Sequence, residues 1–316
     1  MTKGLVMPEL PEVETVVRDL RAHGLEQAVI RAVDVRWSRT IEGMTPARFS
    51  KALCGRTITC LSRRGKYIIL TLDDGLHLLI HLRMTGKLRT VDGSTPPGKH
   101  DHVILTLANG HQLVFNDTRK FGRFRLTRDA GAGLTHLGPE PLDATFTAPL
   151  LKSQLQGKTR LIKPLLLDQT CVAGLGNIYV DEALWQAGIH PERRATTLTP
   201  AEIKRLHHAI RTVLQRGVEN GGTTLGHGET NFYSIAGHRG RNADGLKVFR
   251  RTGLPCPRCH TPIVRTVVGQ RGTHFCPVCQ NSMATALQND DATHRTQSSH
   301  DRRRGGKCSL MTRKIG

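Results

Sequence analysis

The tightest constraint on this chain is a pair of Cys-x-x-Cys steps: Cys256-Pro257-Arg258-Cys259, then sixteen residues, then Cys276-Pro277-Val278-Cys279. Pairs at this separation suit a tetrahedral structural zinc site, each pair on a turn of one hairpin. Four thiolates leave no open coordination position, so this single Zn2+ is expected to hold the fold and not to catalyse. At the tip of the hairpin stand Gln270-Arg271-Gly272, with Arg265 nearby, a composition suited to phosphate contact.

The other cysteines bear no such pattern. Cys54, Cys60 and Cys171 lie singly in or near apolar segments and read as small buried hydrophobes; Cys308 has no assignment. In a chain read as intracellular, eight cysteines point to metal ligands rather than a disulfide framework. With no run of 18 apolar residues and no opening of secretory type, a cytoplasmic protein without a membrane span is expected. The net charge of +20 asks for a polyanion, DNA or RNA before an anionic membrane surface, because no basic amphipathic helix accompanies it.

At 316 residues the chain has room for two cores. A first helix contains Val13, Val16, Val17 and Leu20 at helical spacing and stops at Gly24. To about residue 130 the reading is mostly strand. Tyr67–Leu72 and Leu76–Leu82 flank Asp73-Asp74-Gly75, and His102–Leu107 and His111–Phe115 flank Asn109-Gly110. Both are hairpin signals, and together they suggest an antiparallel sandwich.

Glycine, proline and threonine dominate residues 130–150, where the domain boundary is expected. Helices follow at Ile162–Leu167, Asn177–Ala187 and Pro200–Asn220, the last opened by Thr199, Pro200 and Glu202 as N-cap, first position and capping-box acid. Residues 223–247 read as a mobile loop and 281–316 as a disordered basic tail. The fold class is therefore α+β. It comprises an N-terminal antiparallel β-sandwich domain at 8–135 flanked by helices, a helical domain at 150–247, a zinc β-hairpin at 248–280 and, at 1–7, either an extension or residues before the true translation start.

The stretch Met7-Pro8-Glu9-Leu10-Pro11-Glu12-Val13-Glu14-Thr15 carries a chemical possibility. Within a chain Pro8 is a tertiary amide without nucleophilic character. If translation begins at Met7 and that Met is removed, Pro8 becomes a free secondary amine. An α-amino group has a reference pKa of about 7.7–8.0 and can attack a carbonyl or acetal-like carbon to give an iminium. Glu9 would stand beside it as general acid and base. The competing reading is that Pro8 and Pro11 merely shape a helix entry.

Other groups are open between structural and functional readings. Lys66, in Arg63-Arg64-Gly65-Lys66, suits a sheet-edge charge cluster, a phosphate contact or a proton donor. His100 and His102 are equally ambiguous. Met84 and Phe121 fit a core, or wedges at loop tips with Arg119 facing an exposed base. Gly174-Leu175-Gly176-Asn177 enters a helix whose first amides favour phosphate, with Lys158 and Lys163 adding positive charge.

The string Pro8–Thr15 resembles the amino terminus of bacterial formamidopyrimidine-DNA glycosylases, and the likeness extends in order through Cys279 and Gln280. In that family the proline follows the initiator Met directly. The resemblance implies a bifunctional glycosylase and AP lyase that removes oxidised purines from DNA, with Pro8 as nucleophile and Glu9 as the adjacent acid. It implies Lys66 for β-elimination and Arg271 for δ-elimination. His100, Arg119, Lys158, Lys163 and Asn177 match DNA-contacting positions, and Met84, Arg119 and Phe121 match the residues that fill the gap left by a flipped nucleotide. It further implies a helix–two-turn–helix module, damaged double-stranded DNA as partner, no redox cofactor and a monomer. Two alternatives stand beside it: an endonuclease VIII type acting on oxidised pyrimidines, and a zinc-containing DNA-binding protein without catalysis if Pro8 is not amino-terminal.

Overall fold

A computed structural model describes residues 7–131, 133–226 and 231–281. The expectations for an extension at 1–7 (apart from Met7) and for a tail at 281–316 (apart from Asn281) lie outside the described residues.

The chain opens with α1 (Leu10–Ala22), followed by β1 (Ile30–Val35), β2 (Ile41–Glu42), α2 (Pro46–Leu53), β3 (Ile58–Arg64), β4 (Tyr67–Leu72), β5 (His77–His81), β6 (Gly86–Asp92), β7 (Asp101–Leu107), β8 (His111–Asp117) and β9 (Arg123–Thr127). The strands form two sheets, one ordered β1-β7-β8-β6 and the other β2-β9-β5-β4-β3. All pairings are antiparallel except the two-residue match of β2 with β9. Both expected hairpins form, with Tyr67 opposite His81 and Ile104 opposite Val114.

After the sandwich come α3 (Ala148–Leu155), α4 (Ile162–Leu167), α5 (Asn177–Ala187) and α6 (Pro200–Glu219), and then a hairpin of β10 (Val264–Val268) and β11 (Arg271–Phe275). Thr199 Oγ1 caps α6 by accepting from Glu202 N at 3.2 Å while the Glu202 carboxylate accepts from Thr199 N at 2.8 Å. Two helices escape the strand-dominated and Gly-Pro readings of their segments. Each has the same start signal as α6: Thr45 with Pro46 opens α2, and Thr147 with Pro149 opens α3.

Helix α1 joins the two main cores. Leu10 packs into the helical core with Leu175, Tyr179 and Val180, whereas Val13, Val16, Val17 and Leu20 pack into the sandwich with Leu61, Ile68 and Leu70. The amino-terminal end of α1 is thereby fixed at the seam between sandwich and helices. Cys171 is buried as expected, but Cys54 and Cys60 are exposed. Cys54 follows the end of α2, and Cys60 lies on an outward position of β3, so the apolar neighbours in sequence do not face the same side.

Candidate active site and nucleic-acid interface

The site grows from that seam. Leu10 N donates to Gly174 O at 3.0 Å and aligns the start of α1 with the glycine turn before α5. Glu9 is 1% exposed, and its carboxylate accepts from Ile178 N at 2.9 Å and Tyr179 N at 3.3 Å, two of the otherwise unpaired first amides of α5. Glycine is required at position 176, because a Cβ there would come within 2.3 Å of Glu9 Cδ. The helix start foreseen as a phosphate site is thus occupied by the chain's own carboxylate.

Glu12, one turn along α1, is also buried. It accepts from Glu9 N at 3.0 Å, from Tyr179 Oη at 2.9 Å and from Thr223 N at 2.7 Å. Asn242 Nδ2 donates to Thr223 Oγ1 at 2.9 Å and closes this network. Pro8 is buried beside it and shares a pocket with Met7, Glu12, Thr223, Leu225, Asn231 and Phe232.

Lys66 enters from the β3–β4 turn and is 5% exposed. The turn is held by Glu140 of the linker, whose carboxylate accepts from Gly65 N, from Arg64 Nη1 at 2.8 Å and from Arg63 Nη1 at 2.8 Å. Arg63 Nε donates in turn to Glu14 of α1 at 3.1 Å. Burial raises the Glu9 pKa to about 7, against the attraction of Lys66 and with Glu12 adding repulsion. Burial likewise lowers Lys66 to about 8, opposed by Glu9 and Glu12 and assisted by Arg271. The pair therefore titrates near neutrality, where proton transfer in either direction is cheap.

The finger is docked by α5. Its four cysteine sulfurs lie within 4.8 Å of one another, with Cys259–Cys276 at 3.4 Å and Cys256–Cys279 at 3.9 Å. A tetrahedron of bonds of about 2.3 Å spaces its sulfurs by about 3.8 Å, so the set fits one structural Zn2+. Trp185 Nε1 donates to Cys256 Sγ at 3.4 Å, Gln280 Nε2 donates to Ile189 O at 2.9 Å, and Arg258 lies over the Trp185 ring at 4.0 Å. Arg271 opens β11 with its side chain exposed, near enough to Lys66 to repel its charge. Asn177 Nδ2 reaches Gly272 O at 2.9 Å, leaving its Oδ1 buried and unpaired in the protein.

Lys163 is placed differently from a phosphate contact. It is fully buried, its ammonium donating to Asp181 Oδ1 at 2.6 Å and to Gly272 O at 3.0 Å. The other Asp181 oxygen accepts from His274 N at 2.9 Å. These bonds tie α4 and α5 to the finger, a placement different from the exposed one of Lys158 and Arg119. Lys158 and Arg119 are exposed and His100 is half-buried. Met84 sits half-buried in the β5–β6 turn, Phe121 is 44% exposed in the β8–β9 loop, and the Arg119 guanidinium lies 4.7 Å over the Phe121 ring.

Glu12, Glu140 and Asp181 belong to the site without an assignment from the sequence. Glu12 follows Glu9 by one helical turn, which was a usable signal. Nothing local marks the others.

Sandwich, helices and finger converge on the buried Glu9–Lys66 pair. This defines a class: two-core proteins with a helix–two-turn–helix region and a structural zinc finger, whose site lies where the three parts meet. Family models agree along the chain: the formamidopyrimidine-DNA glycosylase N-terminal domain matches residues 7–124, its H2TH domain residues 137–228, and the zinc finger found in FPG and IleRS residues 253–281. The formamidopyrimidine-DNA glycosylase of Pelotomaculum thermopropionicum is 48% identical over 278 residues, covering 87% of this chain and 99% of the relative. That of Protochlamydia amoebophila is 45% identical over 274 residues, with the same coverage. Among solved structures, Lactococcus lactis Fpg in complex with an abasic site containing DNA aligns with a TM-score of 0.80 at 40% identity, covering 87% of this chain and 100% of that one. The same enzyme with a Fapy-dG containing DNA gives 0.79 at 40% identity and the same coverage. The chain belongs to the formamidopyrimidine-DNA glycosylase family.

Proposed function

We propose that this protein is a bifunctional DNA glycosylase and AP lyase of base excision repair, removing oxidised purines such as 8-oxoguanine and formamidopyrimidines from duplex DNA. The observation that carries the proposal is the electrostatic pairing of buried Lys66 with buried Glu9, the residue next to Pro8, which itself lines a pocket with Glu12. Relatives named for this activity and neighbours solved on lesion-containing DNA support the substrate class.

In the form that begins at Pro8, the secondary amine attacks the sugar C1′ and the oxidised base leaves, a step that Glu9 assists by proton transfer. The product is an iminium joining Pro8 nitrogen to the opened sugar. The iminium acts as an electron sink, so the C2′ proton becomes removable and the 3′ C–O bond breaks. Lys66 serves this β-elimination. Arg271 serves the second, δ-elimination, which breaks the 5′ C–O bond and leaves a one-nucleotide gap with phosphate at both ends. Exposed Lys158 and Arg119, with His100, contact phosphates or base edges, while Met84, Arg119 and Phe121 fill the void left by the extruded nucleotide. Asn177 acts at the finger tip through Gly272.

The functional units are the sandwich at 8–135, the helical region at 150–247 and the finger at 248–280, and the working place is the cytoplasm at the nucleoid. Among the described residues no helix is long and apolar enough to cross a membrane. The test is incision of duplexes carrying one 8-oxoguanine, one formamidopyrimidine or one thymine glycol. Preferential release of the purine lesions with phosphate-ended gaps is expected; a large preference for thymine glycol would overturn the purine assignment.

A further inference from the structure

We propose that Asp117 is a positioning residue that couples the Met84 turn to the Arg119–Phe121 loop, so that the three side chains enter the duplex as one preformed wedge. The inference rests on the DNA-engaging reading above but not on the iminium chemistry.

Asp117 ends β8 and is wholly buried. Its Oδ1 accepts from Thr85 Oγ1 and from Arg119 N at 3.1 Å, and its Oδ2 accepts from Phe121 N and Gly122 N, each at 2.8 Å. Thr85 follows Met84 directly, and its Oγ1 also lies 3.3 Å from Arg119 N. One carboxylate therefore fixes both loops at the residues that bear or adjoin the wedge. All four of these donors are neutral. Burying a carboxylate is costly, so satisfying every lone pair with loop donors specifies one geometry of those loops.

Further features show the same locking. Arg83 and Lys120, one in each loop, have φ of 56° and 61°, a left-handed conformation that side chains resist unless the surroundings impose it. Gly86 and Gly122 both press on the Phe115 ring, where added Cβ atoms would come within 2.8 Å and 2.2 Å. Arg119 is already stacked on Phe121. An apolar wedge in a base stack works only if its tip is held, since a misplacement of about 1 Å can cost about a hundredfold.

The experiment uses the full chain with Asp117→Asn, which turns one acceptor oxygen into a donor, and Thr85→Val, which removes only the link between the loops. The first readout is the stopped-flow fluorescence of a 2-aminopurine placed opposite a tetrahydrofuran abasic analogue. The second is borohydride trapping on a single-stranded abasic oligonucleotide, where there is no void to fill. Both variants are expected to slow the fluorescence change by about tenfold or more, with trapping held within about twofold of the parent. An unchanged fluorescence rate in both variants, a parallel fall of fluorescence and trapping, or no fluorescence change with the parent protein would overturn the proposal. A parent protein that changes fluorescence but never traps would sink the lyase reading and leave the wedge standing.

Discussion

Glu9 and Lys66, brought together from the N-cap of α1 and the β3–β4 turn, are buried as a pair and each holds the other's charge against the cost of desolvation. Burial drives them toward one another in pKa, to about 7 and about 8, from ordinary values of 4.5 and 10.5. A carboxylic acid and an amine made equally ready to exchange a proton near neutrality is an arrangement suited to acid–base chemistry rather than to stability.

That pairing fixes the sign of two pH effects. Glu9 has its folded pKa raised, so it lowers stability as pH climbs from about 4.5 to about 7. Lys66 has its folded pKa lowered, so its penalty is complete below about 8 and is relieved as pH rises toward 10.5. Replacing the acid, Glu9→Gln, removes the first effect and takes an attractive charge from Lys66. Relative to the parent, the variant should gain stability between pH 4.5 and 7 in denaturant titrations. The limb of lyase activity on a preformed abasic site that Lys66 governs should move to lower pH. A limb that stays or moves upward would contradict the coupling.

Gly176→Ala tests how closely the helix start grips Glu9. The added Cβ meets Glu9 Cδ at 2.3 Å, so either the carboxylate or the backbone of α5 must move. We expect a loss of about 1–3 kcal/mol in denaturant unfolding, as for other overpacked positions. Base excision should fall by about a hundredfold through displacement of Glu9. Near-parental excision would show that the grip is not needed.

The Lys163–Asp181 pair predicts a stability effect where a DNA-contact role predicts an affinity effect. Both side chains are 0% exposed. Lys163→Met leaves Asp181 buried with only the His274 donors, a loss expected at about 3–5 kcal/mol. Adding Asp181→Leu should recover part of it, which a double-mutant cycle in urea would measure. Full stability in Lys163→Met, with weakened DNA binding, would restore the phosphate-contact role.

Removing zinc should uncouple the finger from an otherwise folded protein. The four-cysteine cluster is separate from the two main cores and reaches α5 through Trp185. Cys276→Ala should lose the single bound zinc by elemental analysis. It should lower affinity for lesion duplex by about tenfold or more, because Arg271 and Gly272 belong to the hairpin that the metal closes. Retained zinc stoichiometry, or unchanged affinity, would contradict this.

Features written in neighbouring residues were legible in the sequence. Asp73-Asp74-Gly75 and Asn109-Gly110 specify hairpins locally, and two Cys-x-x-Cys steps specify a metal hairpin by spacing alone. Family resemblance added Lys66 and Arg271, which no spacing connects to Glu9. What stayed hidden depends on distant partners. Glu140 lies 75 residues from Gly65 N, yet holds the turn that presents Lys66. Asp181 lies 93 residues from His274. Lys163 looked like a surface cation because nothing in Leu161-Ile162-Lys163-Pro164 announces a buried acid one helix away. The exposed Cys54 and Cys60 failed for a related reason, since segment hydrophobicity does not tell which face a residue takes.

The most direct measurement is borohydride trapping of the form beginning at Pro8 on a duplex with one 8-oxoguanine opposite cytosine, followed by peptide mapping of the adduct. The account predicts a covalent adduct at Pro8 nitrogen. A duplex that stays bound without an adduct, or an adduct that maps to Lys66 instead, would contradict it.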